Sequence, residues 1–241
     1  MRKLENPFLD IGMSELNPRQ FFRGTSTTAQ YPSTMTLLRQ DCIYYNPGLT
    51  YALQGLTGEC GELAEYVEQI SGESSKSHGT GPRMIVSELG DIAWYIARVC
   101  AELEKSFCSN MSNPILVNLG REEYRNTGNP TILFEHLFDY YVDNVILKNG
   151  HTNSKRCPVN TMIVNACLIH NVHKKVLRDM NGELSLSRAC GMYGFLETIM
   201  HSWMVVCIRI NVNPYEILYE NSEKLAGRKL RNTIGGDGDN R

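Results

Sequence analysis

GLTGECGELAEYVEQI, residues 55–70, and VSELGDIAWYIARVCAELE, residues 86–104, decide the fold of this chain. Leu56, Cys60, Leu63, Val67 and Ile70 recur three or four positions apart, and so do Leu89, Ile92, Ile96, Val99 and Leu103. That period belongs to an α-helix with one apolar face, turning about 100° per residue. On the first helical wheel Glu59 lies at the edge of the apolar stripe and Glu62 about 60° further round. Glu65 and Glu68 fall on the far side. On the second, Glu88 and then Asp91 stand on the flank of the stripe. Residues three apart on a helix are neighbours, so Glu59 with Glu62, and Glu88 with Asp91, project carboxylates side by side. Glu59, Glu62 and Glu88 are expected to border a partly buried groove, and Glu65 and Glu68 to be surface charges.

The same period extends outward in both directions. It predicts helices over about 31–44, 50–70, 84–104, 131–148, 159–178, 187–209 and 214–229. Pro32-Ser33 and Pro214 are start signals, and Asn46-Pro47-Gly48 is a stop. Residues 1–30 read as an arm, 71–83 as a polar loop, and 106–130 as a long connection. Apolar alternation of the strand type rarely persists. The fold class is therefore all-α.

Composition excludes several functions. The 24 Lys plus Arg against 26 Asp plus Glu argue against a phosphate-backbone binder, so no stable nucleic-acid partner is expected. No run approaches the roughly 18–20 apolar residues that span a bilayer, and the first residues, MRKLENPFLDIG, do not read as a signal peptide. The eight cysteines show no C-x-x-C and no paired spacing, which reads as cytoplasmic thiols. No Ser–His–Asp arrangement and no G-x-x-x-x-G-K loop is present. His170, His173 and His201 read as structural, and a di-iron bundle is set aside because no Glu-x-x-His occurs.

The clustered acids call for a chemical reason. Two unit charges about 4 Å apart repel by roughly 4 kcal/mol at an effective dielectric near 20. Four on adjacent faces must shift their pKa values or recruit cations. Oxygen ligands without His or Cys favour Mg²⁺, with Mn²⁺ as the alternative. Gly58, Gly61 and Gly90 sit inside these helical patterns, each at a cost of roughly 1 kcal/mol relative to Ala. Close approach of a helix, metal or phosphate is the reading that explains them. Charge is also segregated: residues 59–105 carry nine acids against four Lys or Arg, and 221–231 carry four Lys or Arg against one acid.

The pair Glu59-x-x-Glu62 and Glu88-x-x-Asp91 resembles the signature of the MazG-like all-α nucleoside triphosphate pyrophosphohydrolases. GLTGECGELAE and ELGDIAWYIA follow that pattern nearly residue by residue. The ending NSEKLAGRKLRNTIGGDGDNR is similar to the family's N-x-x-K-L-x-x-R helix and Gly-rich tail. The resemblance implies a helical bundle of that type and cleavage of (deoxy)nucleoside triphosphates between the α and β phosphates. It implies Glu59, Glu62, Glu88 and Asp91 as ligands of Mg²⁺, with Glu59 or Glu62 as the base for water. It implies Asn221, Lys224 and Arg228 as contacts to the substrate's sugar or phosphates. A related scaffold carries phosphoribosyl-ATP pyrophosphatase chemistry, and a non-catalytic interaction protein that keeps the motif is the reading of a different class. Tyr31, Gln54, Tyr66, Trp94 and Tyr95 are candidates for base or helix contacts. Lys76, His78 and Arg83, from the loop between the motifs, and the tail with Arg241 are candidates for the triphosphate.

The matched segments fall in 31–105 and 211–241, read as the catalytic module. Between them, 106–210 departs from the family's pattern. It reads as a helical insertion or a degenerate second copy packed on the same bundle. Glu88 and Trp94 recur as Glu197 and Trp203 with the same spacing, while Met200 takes the place of Asp91. A second copy lets one chain form the bundle that relatives assemble from two subunits. Otherwise a homodimer or larger homo-oligomer is expected.

Overall fold

The computed structural model describes residues 38, 48–71, 81–108, 132–147 and 157–231. Among the described residues the chain is all helical, without strands. Its elements are α1 (Leu49–Ser71), α2 (Gly81–Cys108), α3 (Ile132–Tyr141) with a π-helical turn over Val142–Leu147, α4 (Pro158–Asp179), α5 (Leu186–Ile210) and α6 (Pro214–Leu230). The helix expected over 31–44 lies outside the described residues except for Leu38, which is helical and buried. The arm 1–30, the loop residues 72–80 and the tail beyond 231 also lie outside them.

Two boundaries differ from the sequence reading. Helix α2 begins at Gly81, so Gly81, Pro82 and Arg83 belong to its first turn and not to the polar loop. Proline in a first turn loses no hydrogen bond, since the amides there have no partner within the helix. The continuous helix expected over 131–148 instead changes to π-helix at Val142. Asn144 donates its side-chain amide to the Tyr140 carbonyl at 2.6 Å, which competes with the α-helical ladder at that carbonyl.

Helices α1 and α2 form one hairpin, and α4 and α5 form a second. They pack with α1 against α4 and α2 against α5, around one continuous apolar core. Leu56, Cys60, Leu63 and Val67 of α1, with Leu89, Ile92, Ile96, Val99 and Leu103 of α2, are all buried. From the second hairpin come Met162, Ala166, Ile169, Leu196, Met200 and Trp203. Two polar contacts set the register of the hairpins. Thr50 Oγ1 on α1 lies 2.9 Å from His173 Nε2 on α4. Trp203 Nε1 on α5 donates to the Leu89 carbonyl of α2 at 2.8 Å.

A sharp corner then delivers α6 to the outside of α2. Asn211 takes a left-handed φ of 57°, and α5 and α6 meet at a 100° bend. Asn is among the few residues that adopt this conformation readily. Asn213 caps α6, its side-chain oxygen accepting from the Tyr215 amide at 3.0 Å, and Pro214 opens the helix. Helix α3 packs on both α2 and α5. Among the described residues no single helix is long and apolar enough to cross a membrane.

Candidate functional site

The site forms where α1, α2 and α6 meet. Glu59 on α1, and Glu88 and Asp91 on α2, bring one carboxylate oxygen each to within 4.8 Å of one another. Glu88 is 1% exposed and Glu59 and Asp91 are half-buried. The wheel places Glu88 on the flank of the stripe; packing within the bundle, with Glu59 of α1 beside it, removes it from water. Glu62, the fourth motif acid, is exposed one turn beyond Glu59 and stands outside this group of three. Glu65 and Glu68 are exposed, as expected.

Burial dominates the electrostatics of Glu59. Together with the charges of Asp91, Glu88 and Glu62 and a hydrogen bond shared with Glu88, it pushes the Glu59 carboxyl up to about 9. Burial and the neighbouring acids both disfavour a charged Glu59 carboxylate in so small a volume. The donor set is all oxygen, converges from two helices and carries surplus negative charge. It fits Mg²⁺ or Mn²⁺, which take hard oxygen ligands.

Helix α6 supplies the positive side. Lys224 Nζ lies 2.5 Å from Asp91 Oδ2 and donates also to Ser87 Oγ at 3.0 Å. Asn221 donates its side-chain amide to Asp91 Oδ1 at 2.6 Å. Both oxygens of Asp91 are therefore held, and its orientation is fixed before any ligand arrives. Gly90 makes this contact possible. A Cβ there would meet the Asn221 Cβ at 2.9 Å, closer than side chains tolerate. Gly55 plays the same part for Tyr95, whose ring would lie 2.1 Å from an added Cβ. Gly58 and Gly61 differ, because a Cβ at either meets nothing within 4 Å among the described residues. Close helix packing thus explains Gly90 but not the two glycines that flank Glu59.

No family model matches the chain. Over 80 residues it is 35% identical to the Gene 37 protein of Mycobacterium phage L5, a match that covers 33% of this chain and 65% of that protein. The matched part of the chain spans less than two thirds of that relative's length, and the relative's name states no activity. No solved structure matches. The chemistry therefore rests on the residues themselves.

Beside the acids, Tyr95 packs edge-on to Trp94 with ring centroids 4.9 Å apart, and tilts against Tyr51 at 6.2 Å. Trp94 is buried, Tyr95 half-buried and Tyr51 exposed, so the rings form a wall running from the core to the surface. Gln54 is exposed and Tyr66 half-buried on α1. Arg228 is buried one turn beyond Lys224. Arg83 lines a pocket with Val86, Ser87, Ile217, Glu220, Asn221 and Lys224. Tyr31, Lys76, His78 and Arg241 lie outside the described residues. His173 and His201 are packing residues: the first meets Thr50, and the second lies edge-on to Tyr141 with ring centroids 5.9 Å apart.

Ser87 and Tyr51 are the contacts that motif reading misses. Ser87 stands one turn before Asp91 on the same face of α2, so carrying the wheel one turn toward the N-terminus finds it. Tyr51 has no such signal, because its meeting with Tyr95 depends on how α1 and α2 pack.

Proposed function

We propose that this protein hydrolyses (deoxy)nucleoside triphosphates between the α and β phosphates, releasing the monophosphate and pyrophosphate. The observation that carries the reading is the convergence of Glu59, Glu88 and Asp91 from two helices, with Lys224 and Asn221 docked on Asp91 from a third. An acidic cluster alone has many uses. An acidic cluster bordered by an oriented lysine and amide is suited to a metal-bound polyphosphate.

Glu59, Glu62, Glu88 and Asp91 are the proposed holders of Mg²⁺. When bound, the metal neutralises the triphosphate, lowers the pKa of a water and stabilises the departing pyrophosphate. Asp91 is kept in place by Asn221 and Lys224. Lys224 offers its ammonium toward the departing phosphates. Glu59 and Glu62 are the candidates for taking the proton of the attacking water, with Glu62 on the open side. The Tyr51–Tyr95–Trp94 wall is the proposed neighbour of the nucleobase. Residues 31–105 and 211–241 form the proposed catalytic module. The α4–α5 hairpin within 106–210 is its proposed degenerate copy, supported by the pairing of α1 with α4 and α2 with α5.

Incubation with a panel of nucleoside triphosphates and Mg²⁺ tests the activity. Pyrophosphate release is expected from at least one of them, and Glu62→Ala or Asp91→Ala is expected to abolish it. Orthophosphate as the first product overturns the assignment. A folded protein that shows no calorimetric response to Mg²⁺ or Mn²⁺ supports a non-catalytic role instead.

A further inference from the structure

The pocket between the first turns of α2 and the middle of α6 has a volume of about 100 Å³ and is lined by Arg83, Val86, Ser87, Ile217, Glu220, Asn221 and Lys224. Its size is informative. Drug-sized ligands occupy clefts of about 300–1,000 Å³, so this pocket is too small for a nucleoside and suits one tetrahedral anion. The lining carries two cations, Arg83 and Lys224, against one carboxylate, the exposed Glu220.

We propose that this pocket binds the terminal phosphate of the triphosphate, with Arg83 as the residue that recognises it. The inference rests on the hydrolase reading above and deepens it. Its basis is the register of two antiparallel helices. Ser87 faces Lys224, while Gly90 and Asp91 face Asn221 one turn further along. Arg83, Ser87 and Asp91 lie at successive four-residue steps along one face of α2, each a rise of about 6 Å. Lys224 touches both Ser87 and Asp91, so it joins the pocket to the carboxylates. A polyphosphate held at the acids by its α phosphate thus finds Lys224 and Ser87 next, and Arg83 at its far end.

Arg83 suits this role. It is exposed, lines the pocket and has no ion-pair or hydrogen-bond partner among the described residues. Its planar guanidinium matches two phosphate oxygens at once, and a helix's first turn adds positive potential. The pocket is thereby a length gauge, favouring three phosphates over two.

The test is calorimetric titration of the full chain with pyrophosphate in the presence of Mg²⁺, and separately with a nucleoside monophosphate. Arg83→Ala is expected to weaken pyrophosphate about tenfold to a hundredfold, since a charge-assisted hydrogen bond carries that difference, and to leave the monophosphate unmoved. Arg83→Lys restores part of the loss. Circular dichroism reports whether the variants fold, and an exposed site makes unfolding unexpected. The proposal is overturned by a folded Arg83→Ala that binds pyrophosphate like the parent, by equal losses for both ligands, or by a parent that does not bind pyrophosphate. The two readings fail separately. Triphosphate hydrolysis with no effect of Arg83→Ala on pyrophosphate removes only the pocket's role. The Arg83-dependent pyrophosphate binding, without hydrolysis of any triphosphate, leaves an anion site and removes the enzyme.

Discussion

The two hairpins share an architecture and differ in what their polar positions carry. In α1–α2, Glu88 is 1% exposed and joins Glu59 and Asp91, the last of which is held by Lys224 and Asn221 of α6. In α4–α5, Glu197, which has a Trp six residues on as Glu88 has, is half-buried, and the residue three beyond it is Met200, which is 0% exposed and part of the core. Burial alone raises the Glu197 carboxyl above its usual range, with no neighbouring acid contributing. In the first hairpin, burial and three acids act on Glu59 together. The comparison teaches that apolar period builds either hairpin, while only the first brings carboxylates together: α1 contributes Glu59, whereas α4 carries no acid before Asp179, its last residue. Trp94 and Trp203 are both buried, at 8% and 0% exposed.

The largest expected effect breaks this asymmetry directly. Glu88→Gln is expected to lower pyrophosphate release by more than about a hundredfold, since losing even an outer-sphere partner of a metal costs about 10- to 100-fold. Glu197→Gln is expected to change it less than about threefold, given that surface and half-buried positions away from a site seldom reach 0.5 kcal/mol. Steady-state rates for the two variants, side by side, decide the matter. Equal losses would place the second hairpin in the active site.

Glycine replacements give the next effect, and here the sign divides. Gly90→Ala forces α6 away from α2, because the added Cβ meets Asn221 at 2.9 Å. A loss of about 1–3 kcal/mol is expected from overpacking. Gly58→Ala meets nothing within 4 Å among the described residues, so helix propensity should raise stability by up to about 1 kcal/mol. Chemical denaturation of the ligand-free protein measures both. A destabilised Gly58→Ala would reveal a close neighbour at that face.

A further effect is a pH dependence outside the site. Glu104, on the C-terminal part of α2, is 1% exposed, and its Oε1 accepts from the Leu133 amide at 2.5 Å in the first turn of α3. Burial pushes its carboxyl up to about 8, and the Leu133 hydrogen bond offsets only part of that rise. A folded pKa above the ordinary value of 4.5 means that the native state binds the proton more firmly than the unfolded chain. Its contribution to stability is full below about pH 4.5 and is lost as pH rises through about 8. Glu104→Gln keeps an acceptor for Leu133 and removes the titration, so its melting temperature should fall less steeply than the parent's across this window. Identical slopes would exclude Glu104 as the source.

Most of the helical content is legible in the residue order. The stripes of α1, from Leu56 to Val67, and of α2 appear in the sequence and are buried as the wheels place them, and the spans 159–178, 187–209 and 214–229 match α4, α5 and α6 within a residue or so. The reason is local: a period of 3.6 is written into consecutive residues. The start of α2 and the π turn after Tyr141 were not legible. They depend on a proline's permitted place in a first turn and on one asparagine's bond to a carbonyl. At the site, pairing of Glu59 with Glu62 and of Glu88 with Asp91 follows from helical spacing. The exposure of Glu62 and the burial of Glu88 do not, since both depend on which neighbour covers which edge.

By itself, the sequence determined an all-α chain, its helix faces and the acids that each face presents. Tertiary structure alone decided that Glu59, Glu88 and Asp91 meet, that Lys224 and Asn221 hold Asp91, and that Arg83 lines the adjoining pocket. Periodicity acts over a few residues, whereas distances between helices are set by the 100° corner before α6, the absence of a side chain at Gly90 and the packing of one core.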